Sequence, residues 1–262
     1  MGETDAAGFT DLCLVTAVGI EFKIAAGLLT AKSFSEEPRM KICRGLFGAR
    51  RVTVLQSEMG AVGFAERLAK HLADNRYDAL IVAGLAGGLD PKLRVGDAVL
   101  YDLCYDARAI DIILRERPSR EELNSIASDE PLSNFLVQAL TRSDLSFIQA
   151  PGITVSRIIT ESKEKSALRV NYGAAAVDME TYEALVACAR LDLAAAALRV
   201  ISDEAEHNIP DFNRAYDADG RMGGWRMAAT MIARPLVTFR LLLTIKRALQ
   251  SLRSNLRAAM SA

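Results

Sequence analysis

Three carboxylates stand out by position. Glu21 follows the apolar run DLCLVTAV (11–18), Glu180 closes AAAVDME (174–180), and Asp203 follows AAAALRVIS (194–202). Each run is short and apolar enough to be a buried strand. Each acid therefore falls at the carboxyl end of a strand, where ligands gather in open α/β sheets. Two carboxyl groups, one holding a proton and one ionised, are the minimum equipment for general acid–base catalysis, each worth about 10²–10⁴-fold. Beside them stand Met179, Arg199 and Ser202, and a G-x-x-G-G cluster at Gly84, Gly87 and Gly88. Plainer explanations exist for all of these. An acid in the first turn of a helix favours the helix dipole, and a methionine fills a core. The glycine cluster is neither a dinucleotide fingerprint nor a Walker loop. It reads as a tight turn, or as backbone N–H groups facing water or an anion.

Composition narrows the chemistry. The chain has 262 residues, half of them hydrophobic, with a net charge of −1. That is ordinary globular composition with ample apolar surface for a core. Only two histidines occur, His71 and His207. A zinc site built on several imidazoles is excluded, and no G-x-S-x-G elbow is present for a serine triad. No role is assigned to either histidine, and no metal site is expected. The cysteines Cys13, Cys43, Cys104 and Cys188 are scattered without a C-x-x-C pair, as expected of reduced, mostly buried thiols in a cytoplasmic protein. The N-terminus lacks the pattern of a signal peptide, and no uncharged apolar run reaches the roughly 20 residues of a membrane span.

Positioning these acids requires an alternation of strands and helices. Strands are predicted at 11–18, 51–57, 79–84, 97–102, 152–160, 174–180 and 194–202. Helices are predicted from Glu21 to Thr30, from Phe64 to Asp74, as a pair across 119–143, near 162–170 and over 181–190, with a turn at Gly60–Gly63. The fold class that follows is α/β: a three-layer α/β/α sandwich around a mixed, largely parallel sheet. Residues 1–220 form the catalytic domain, and residues 221–262 form a basic, amphipathic C-terminal helical extension of it.

Four segments carry a family resemblance in matching order and spacing: VTAVGIEFKIA (15–25), QSEMGAVGFAERLAKHL (56–72), IVAGLAGGLDPKLRVGDAVL (81–100) and AVDMETYEALVACARLDLAAAALRVISDEAE (176–206). Together they resemble the purine nucleoside phosphorylase and methylthioadenosine/S-adenosylhomocysteine nucleosidase superfamily, of nucleoside phosphorylase-like fold. The resemblance implies cleavage of the N-glycosidic bond of an adenine nucleoside. Asp203 would protonate N7 of the leaving purine, and Glu21 would orient or deprotonate the attacking water. Glu180 would accept hydrogen bonds from the ribose hydroxyls, Met179 would pack on the sugar face, and Ser202 and Arg199 would support the acids. Ile158 would offer backbone contacts to adenine, and Gly87 would border the substrate. The bond chemistry agrees, because an oxocarbenium-like state calls for an acid on the leaving group and a base for the nucleophile. Burial at the end of an apolar strand would help Asp203 keep its proton.

The family divides by nucleophile. Phosphorolysis needs Arg, Ser/Thr and backbone donors around a dianion. The position usually Ser or Thr is Leu85 here, which removes a hydroxyl donor for phosphate and also disturbs the usual water site; the reading leans slightly to hydrolysis, with Gly19 and Arg157 as groups that would compensate. No cofactor is expected; phosphate would be the co-substrate only in phosphorolysis.

The tail has its own chemistry. After Asp219 there are eight basic residues and no acidic one, leaving 24 basic against 33 acidic before it. Leu242, Ile245, Leu249, Leu252, Leu256 and Met260 follow a 3–4 spacing, one stripe of a helix, flanked by Lys246, Arg253 and Arg257. Such a helix either packs on the core or a second subunit, or lies on anionic lipid. DADGRMGGWRMAATMIARP (217–235) and the Asp178 form of the VDMET motif resemble the hopanoid-associated branch of the superfamily, which implies a lipid-linked substrate such as adenosylhopane. The expected partners are an adenine nucleoside, a second copy of the chain in a homodimer, and an anionic membrane touched peripherally; no nucleic acid is expected. The competing reading is a non-catalytic nucleoside-binding or membrane-associated module that retains the fold.

Overall fold

The computed structural model describes residues 8–57, 63–110, 118–215 and 235–261. In chain order the elements are β1 (Asp11–Thr16), α1 (Gly19–Ala26), β2 (Thr30–Glu37), β3 (Met40–Phe47), β4 (Arg50–Gln56), α2 (Phe64–Asp74), β5 (Ala79–Gly88), β6 (Ala98–Asp106), β7 (Ser125–Ala127), α3 (Glu130–Arg142), β8 (Phe147–Thr154), α4 (Ser162–Tyr172), β9 (Ala176–Asp178), α5 (Thr181–Ala189), β10 (Ala194–Asp203) and α6 (Pro235–Ser261). Single 3₁₀ turns lie at Arg120–Glu122 and Phe212–Ala215.

The strand pleat sorts the core into layers. Successive side chains point to opposite faces, so Leu12 and Leu14 of β1 join one apolar cluster while Cys13 and Val15 join the other. The first cluster is covered by α1, α3 and α6 and the second by α2 and α5, which makes the sandwich. A third, smaller cluster seats α4 through Leu168 and Tyr172. The sheet is mixed. Strands β4, β1, β5 and β10 run parallel at its centre, and β6, β8 and β9 form a second parallel group. Because β10 pairs with both β5 and β6, and β9 returns to β5, five strands close into a ring. The carboxyl ends of β1, β5, β8, β9 and β10 are thereby drawn around one hollow.

Several sequence expectations need correction. The first helix stops at Ala26, with Gly27 as its cap, instead of reaching Thr30, which starts β2. The β2–β3 hairpin went unpredicted, because TAKSFSEE is polar and exposed on both faces and has no apolar alternation to read. Its turn at Pro38 and Arg39 places Arg39 at φ +60°. The proposed helical pair over 119–143 is one helix, α3, preceded by a 3₁₀ turn and β7. Asp129 caps α3 by accepting from the Leu132 N–H at 2.8 Å, and the helix carries Pro131 in its first turn. The strand expected at 152–160 runs instead from Phe147 to Thr154, and residues 155–160 leave the sheet. The glycine cluster is not a turn. Gly84, Gly87 and Gly88 lie within β5, paired with Arg199, Asp203 and Ala176.

Helix α6 belongs to the main core: Ala248, Leu252, Leu256, Ala259 and Met260 are buried in the first cluster, and Ser251 Oγ donates to Gly96 O at 2.6 Å. Lys246, Arg247, Arg253 and Arg257 face outward. Of the two readings of this helix, core packing is the one seen, and among the described residues no helix is long and apolar enough to cross a membrane. The 217–235 motif lies outside the described residues except for Pro235, and the Gly60–Gly63 turn lies outside them except for Gly63, at φ +75° at the head of α2. All four cysteines are buried and unpaired. His71 is a buried strut between Glu37 (3.0 Å) and the Tyr77 hydroxyl (2.8 Å).

Candidate active site

Glu21 sits at the third position of α1, turned back over the helix start. Its Oε2 accepts the N–H groups of Ala17 and Val18, each at 3.0 Å, and its Oε1 accepts the Leu85 N–H at 2.7 Å. The plain explanation of a first-turn acid is thus true of it, but the reach to Leu85 is not helix capping. It ties the end of β1 to β5 across the sheet. Glycine is required opposite: a Cβ at Gly84 would stand 2.8–2.9 Å from the Glu21 carboxylate. Glu21 is buried, and burial raises its pKa from the ordinary carboxylate value, opposed by the three backbone N–H bonds and the charge of Arg199. A carboxylate so placed is a stronger base than a free one.

At the end of β9, Asp178 organises the next acid. Its Oδ1 accepts the N–H groups of Glu180 and Thr181 at 3.0 Å and the Thr154 hydroxyl at 2.9 Å, and its Oδ2 accepts the Thr181 hydroxyl at 2.5 Å. Arg199 lies behind, with Nε 3.3 Å from Asp178 and Nη2 3.6 Å from Glu180, and donates to Thr181 Oγ1 at 2.8 Å. Burial works against the Arg199 charge, but Asp178 and Glu180 outweigh it and raise its pKa. The arginine therefore compensates two buried carboxylates and fixes the turn that presents Glu180.

Asp203 ends β10. Its Oδ1 lies 2.5 Å from Ser202 Oγ, which in turn lies 3.1 Å from the Ala86 carbonyl. Its Oδ2 pairs with the fully buried ammonium of Lys165. Gly87 lets β5 pass close by, since a Cβ there would meet Val177 at 3.1 Å and Asp203 at 3.5 Å.

One cavity of about 240 Å³ joins these groups. Seven of the eight residues singled out in the sequence line it: Glu21, Gly87, Ile158, Met179, Glu180, Ser202 and Asp203. Arg199 is set behind the wall, 1 % exposed. Leu85 and Arg157 also line it; Gly19 does not. Two expectations change in detail. The backbone of Ile158, assigned to adenine, is already engaged: its N–H donates to Asn213 Oδ1 and its carbonyl accepts from Asn213 Nδ2, both at 2.9 Å. Arg157 lines the cavity with its guanidinium already paired to Glu164 at 2.5 and 3.2 Å.

Sequence reasoning missed Lys165, Glu164, Asn213 and the apolar wall formed by Ile209, Phe212 and Ile245. A signal existed for two of them. Glu164, Lys165, Leu168 and Tyr172 form the buried stripe of α4, and a charge at an apolar helical spacing marks a buried partner. Asn213 and Ile245 arrive from distant segments and leave no local trace.

Known proteins resemble this one in sequence and shape. The family profile described as the phosphorylase superfamily matches residues 11–234. A 5′-methylthioadenosine/S-adenosylhomocysteine nucleosidase of Haemophilus ducreyi is 24% identical over 200 residues, covering 74% of this chain and 84% of that protein. The Staphylococcus aureus protein of the same name is 24% identical over 208 residues, 76% of this chain and 90% of its own. Among solved structures, the Neisseria meningitidis nucleosidase in complex with methylthio-immucillin-A superposes with a TM-score of 0.72 at 18% identity, covering 96% of this chain and 98% of that one. Futalosine hydrolase of Helicobacter pylori gives 0.65 at 16% identity, over 93% and 97%.

Proposed function

Because this chain belongs to the phosphorylase superfamily, we propose that it cleaves the N-glycosidic bond of a 5′-substituted adenosine and releases adenine, with water as the nucleophile. The observation that carries this reading is the meeting of Glu21, Glu180 and Asp203 in one cavity, each held from a different strand end. Asp203 passes a proton to N7 of the purine as the C1′–N9 bond breaks, and the bonding electrons leave with the base. Glu180 holds the ribose hydroxyls, Met179 packs on the sugar, and Glu21 takes a proton from the water that adds to C1′. Acid and base each contribute about 10²–10⁴-fold.

Water is favoured over phosphate by what the cations and amides are already doing. Among the described residues around the cavity, Arg157 is paired with Glu164, Arg199 with Asp178 and Glu180, and Lys165 with Asp203. The N–H groups of Ala17, Val18 and Leu85 all point at Glu21. A dianion entering here would meet the carboxylates of Glu21 and Glu180 and no hydroxyl at position 85.

The nature of the 5′ substituent is a finer reading. Ile158, Ile209, Phe212 and Ile245 form an apolar wall. This supports an apolar substituent, of which adenosylhopane is the extreme case. The test is adenine release from methylthioadenosine, S-adenosylhomocysteine and adenosylhopane, with and without phosphate. Turnover of at least one, unchanged by phosphate, is expected. Folded protein that binds adenine but releases none from any of the three would point to a non-catalytic binding module, and a phosphate requirement would replace water as nucleophile.

A further inference from the structure

Lys165 is the most deeply buried cation that the acid–base chemistry above leaves without a task. Its side chain is 0 % exposed, and an ammonium taken out of water is costly unless fully paired. All three of its N–H donors are engaged: one on Asp203 Oδ2, one on the Glu204 carbonyl at 2.9 Å and one on the His207 carbonyl at 2.9 Å. It does not line the cavity, so it meets the acid from behind and touches no substrate. The preceding residue, Glu164, grips Arg157, which also lines the cavity. The first turn of α4 thus fastens both Asp203 and the loop after β8.

Resting on the nucleosidase reading above, we infer that Lys165 is the positioning residue of the general acid. With Oδ2 held by the ammonium, the transferable proton resides on Oδ1, the oxygen beside Ser202. When that proton moves to N7 and the C1′–N9 electrons leave with the purine, Asp203 becomes a carboxylate, and the fixed charge of Lys165 stabilises it as it forms. Lys165 gives up no proton in this step. Its two carbonyl bonds hold the 204–207 turn that leads to Ile209 in the apolar wall. The other charged groups on this side, Glu204 and His207, are turned to each other at 3.2 Å, and Arg94 lies 3.7 Å from Glu204. That leaves Lys165 as the cation that the described residues place on the acid.

The test uses the full chain and methylthioadenosine, adenosylhopane being substituted if that is what the wild type cleaves. Lys165→Met and Lys165→Gln should lower kcat roughly 10- to 100-fold, less than loss of the acid itself, and leave KM within about threefold. The basic limb of the kcat–pH profile should move up by about one unit, as expected when a neighbouring cation is removed. A folded variant with kcat within about threefold of wild type overturns the inference. So does a joint loss of kcat and KM with an unmoved profile, which is what a merely structural lysine gives. Should neither variant fold, the ¹⁵Nζ resonance of Lys165 in the wild type decides: a shift on adenine binding that Asp203→Asn abolishes supports the role, and no shift overturns it. A wild type inactive on every nucleoside overturns the nucleosidase reading and this inference with it; an active wild type isolates the question to Lys165.

Discussion

Gly84→Ala is the substitution whose effect the geometry fixes most tightly. A Cβ at this position falls 2.8 Å from Glu21 Oε1 and 2.9 Å from its Oε2 and Cδ. Ordinary contact begins near 3.4 Å, so something must move by about half an ångström. The backbone of β5 cannot, since Gly84 is paired to Arg199 inside the sheet. The new methyl is itself conformationally permitted, because Gly84 has no positive φ, and it even removes freedom from the unfolded chain. Glu21 must therefore yield, against three N–H bonds of 2.7–3.0 Å. A misplacement of about 1 Å costs about 10²-fold in rate, so half that distance predicts a kcat lower by roughly 10- to 100-fold. Part of the strain is felt in stability, as one or two weakened bonds to a charged group at about 1.5–3 kcal/mol each. Steady-state kinetics with adenine detection, a thermal melt and the double variant with Glu21→Gln are the assays. If Gly84 acts through Glu21, the methyl adds nothing once Glu21 is gone. A folded Gly84→Ala protein with wild-type kcat, or a double variant much slower than Glu21→Gln alone, would refute the reasoning.

Three further outcomes follow from the same contacts. Burial raises the Glu21 pKa, and a base must be ionised, so the acidic limb of kcat/KM should lie above the ordinary carboxylate value of 4.5 and vanish in Glu21→Gln, whose kcat/KM falls about 10²–10⁴-fold. The stability linkage has the matching sign: a raised folded-state pKa favours the fold at low pH, and that contribution is lost as pH rises through the raised value. Arg199→Met leaves Asp178 and Glu180 buried without their cation and should cost about 3–5 kcal/mol in denaturant unfolding, as expected for a broken buried pair; a change under 1 kcal/mol would show that the two acids do not depend on it. Leu252→Ala, on a fully buried position of α6, should cost about 2–5 kcal/mol, whereas a helix that merely rests on the surface would lose little.

Much of this site was readable because its acids end strands. DLCLVTAV and AAAALRVIS are unmistakable buried runs, and an acid directly after such a run falls at the sheet edge where ligands bind. Glu180 was legible for the same reason, whereas Arg199 came only through the family resemblance. What escaped is non-local. The Asn213 amide reaches Ile158 across 55 residues of sequence, and Leu85 serves Glu21 through its backbone, which no side-chain identity reveals. The glycine cluster reads as a turn but lies within β5; Gly87 does border the cavity, while the room that Gly84 and Gly87 leave for Glu21 and Asp203 depends on neighbouring elements. The β2–β3 hairpin was invisible because a polar strand exposed on both faces has no period to detect.

The tail shows how packing decides between readings that composition leaves open. Its charge asymmetry and amphipathic stripe fitted either packing on the core or a second subunit, or contact with anionic lipid. In the fold, Ala248, Leu252 and Leu256 complete the core beneath β10, while Ile245, one turn earlier, enters the cavity wall beside Glu21 and Asp203. The stripe that would have faced lipid is thus buried over the second half of the helix, and Ile245 within it lines the cavity. A deletion of residues 236–262 would remove core, cavity wall and surface charge at once, so its effect on liposome binding would say little about the arginines. Reversal of Arg253 and Arg257, both exposed, separates these roles because it alters the surface charge and leaves the packed face intact. On this geometry, any preference for an apolar 5′ group is built by the same helix that stabilises the sheet, which ties substrate choice to the fold through α6.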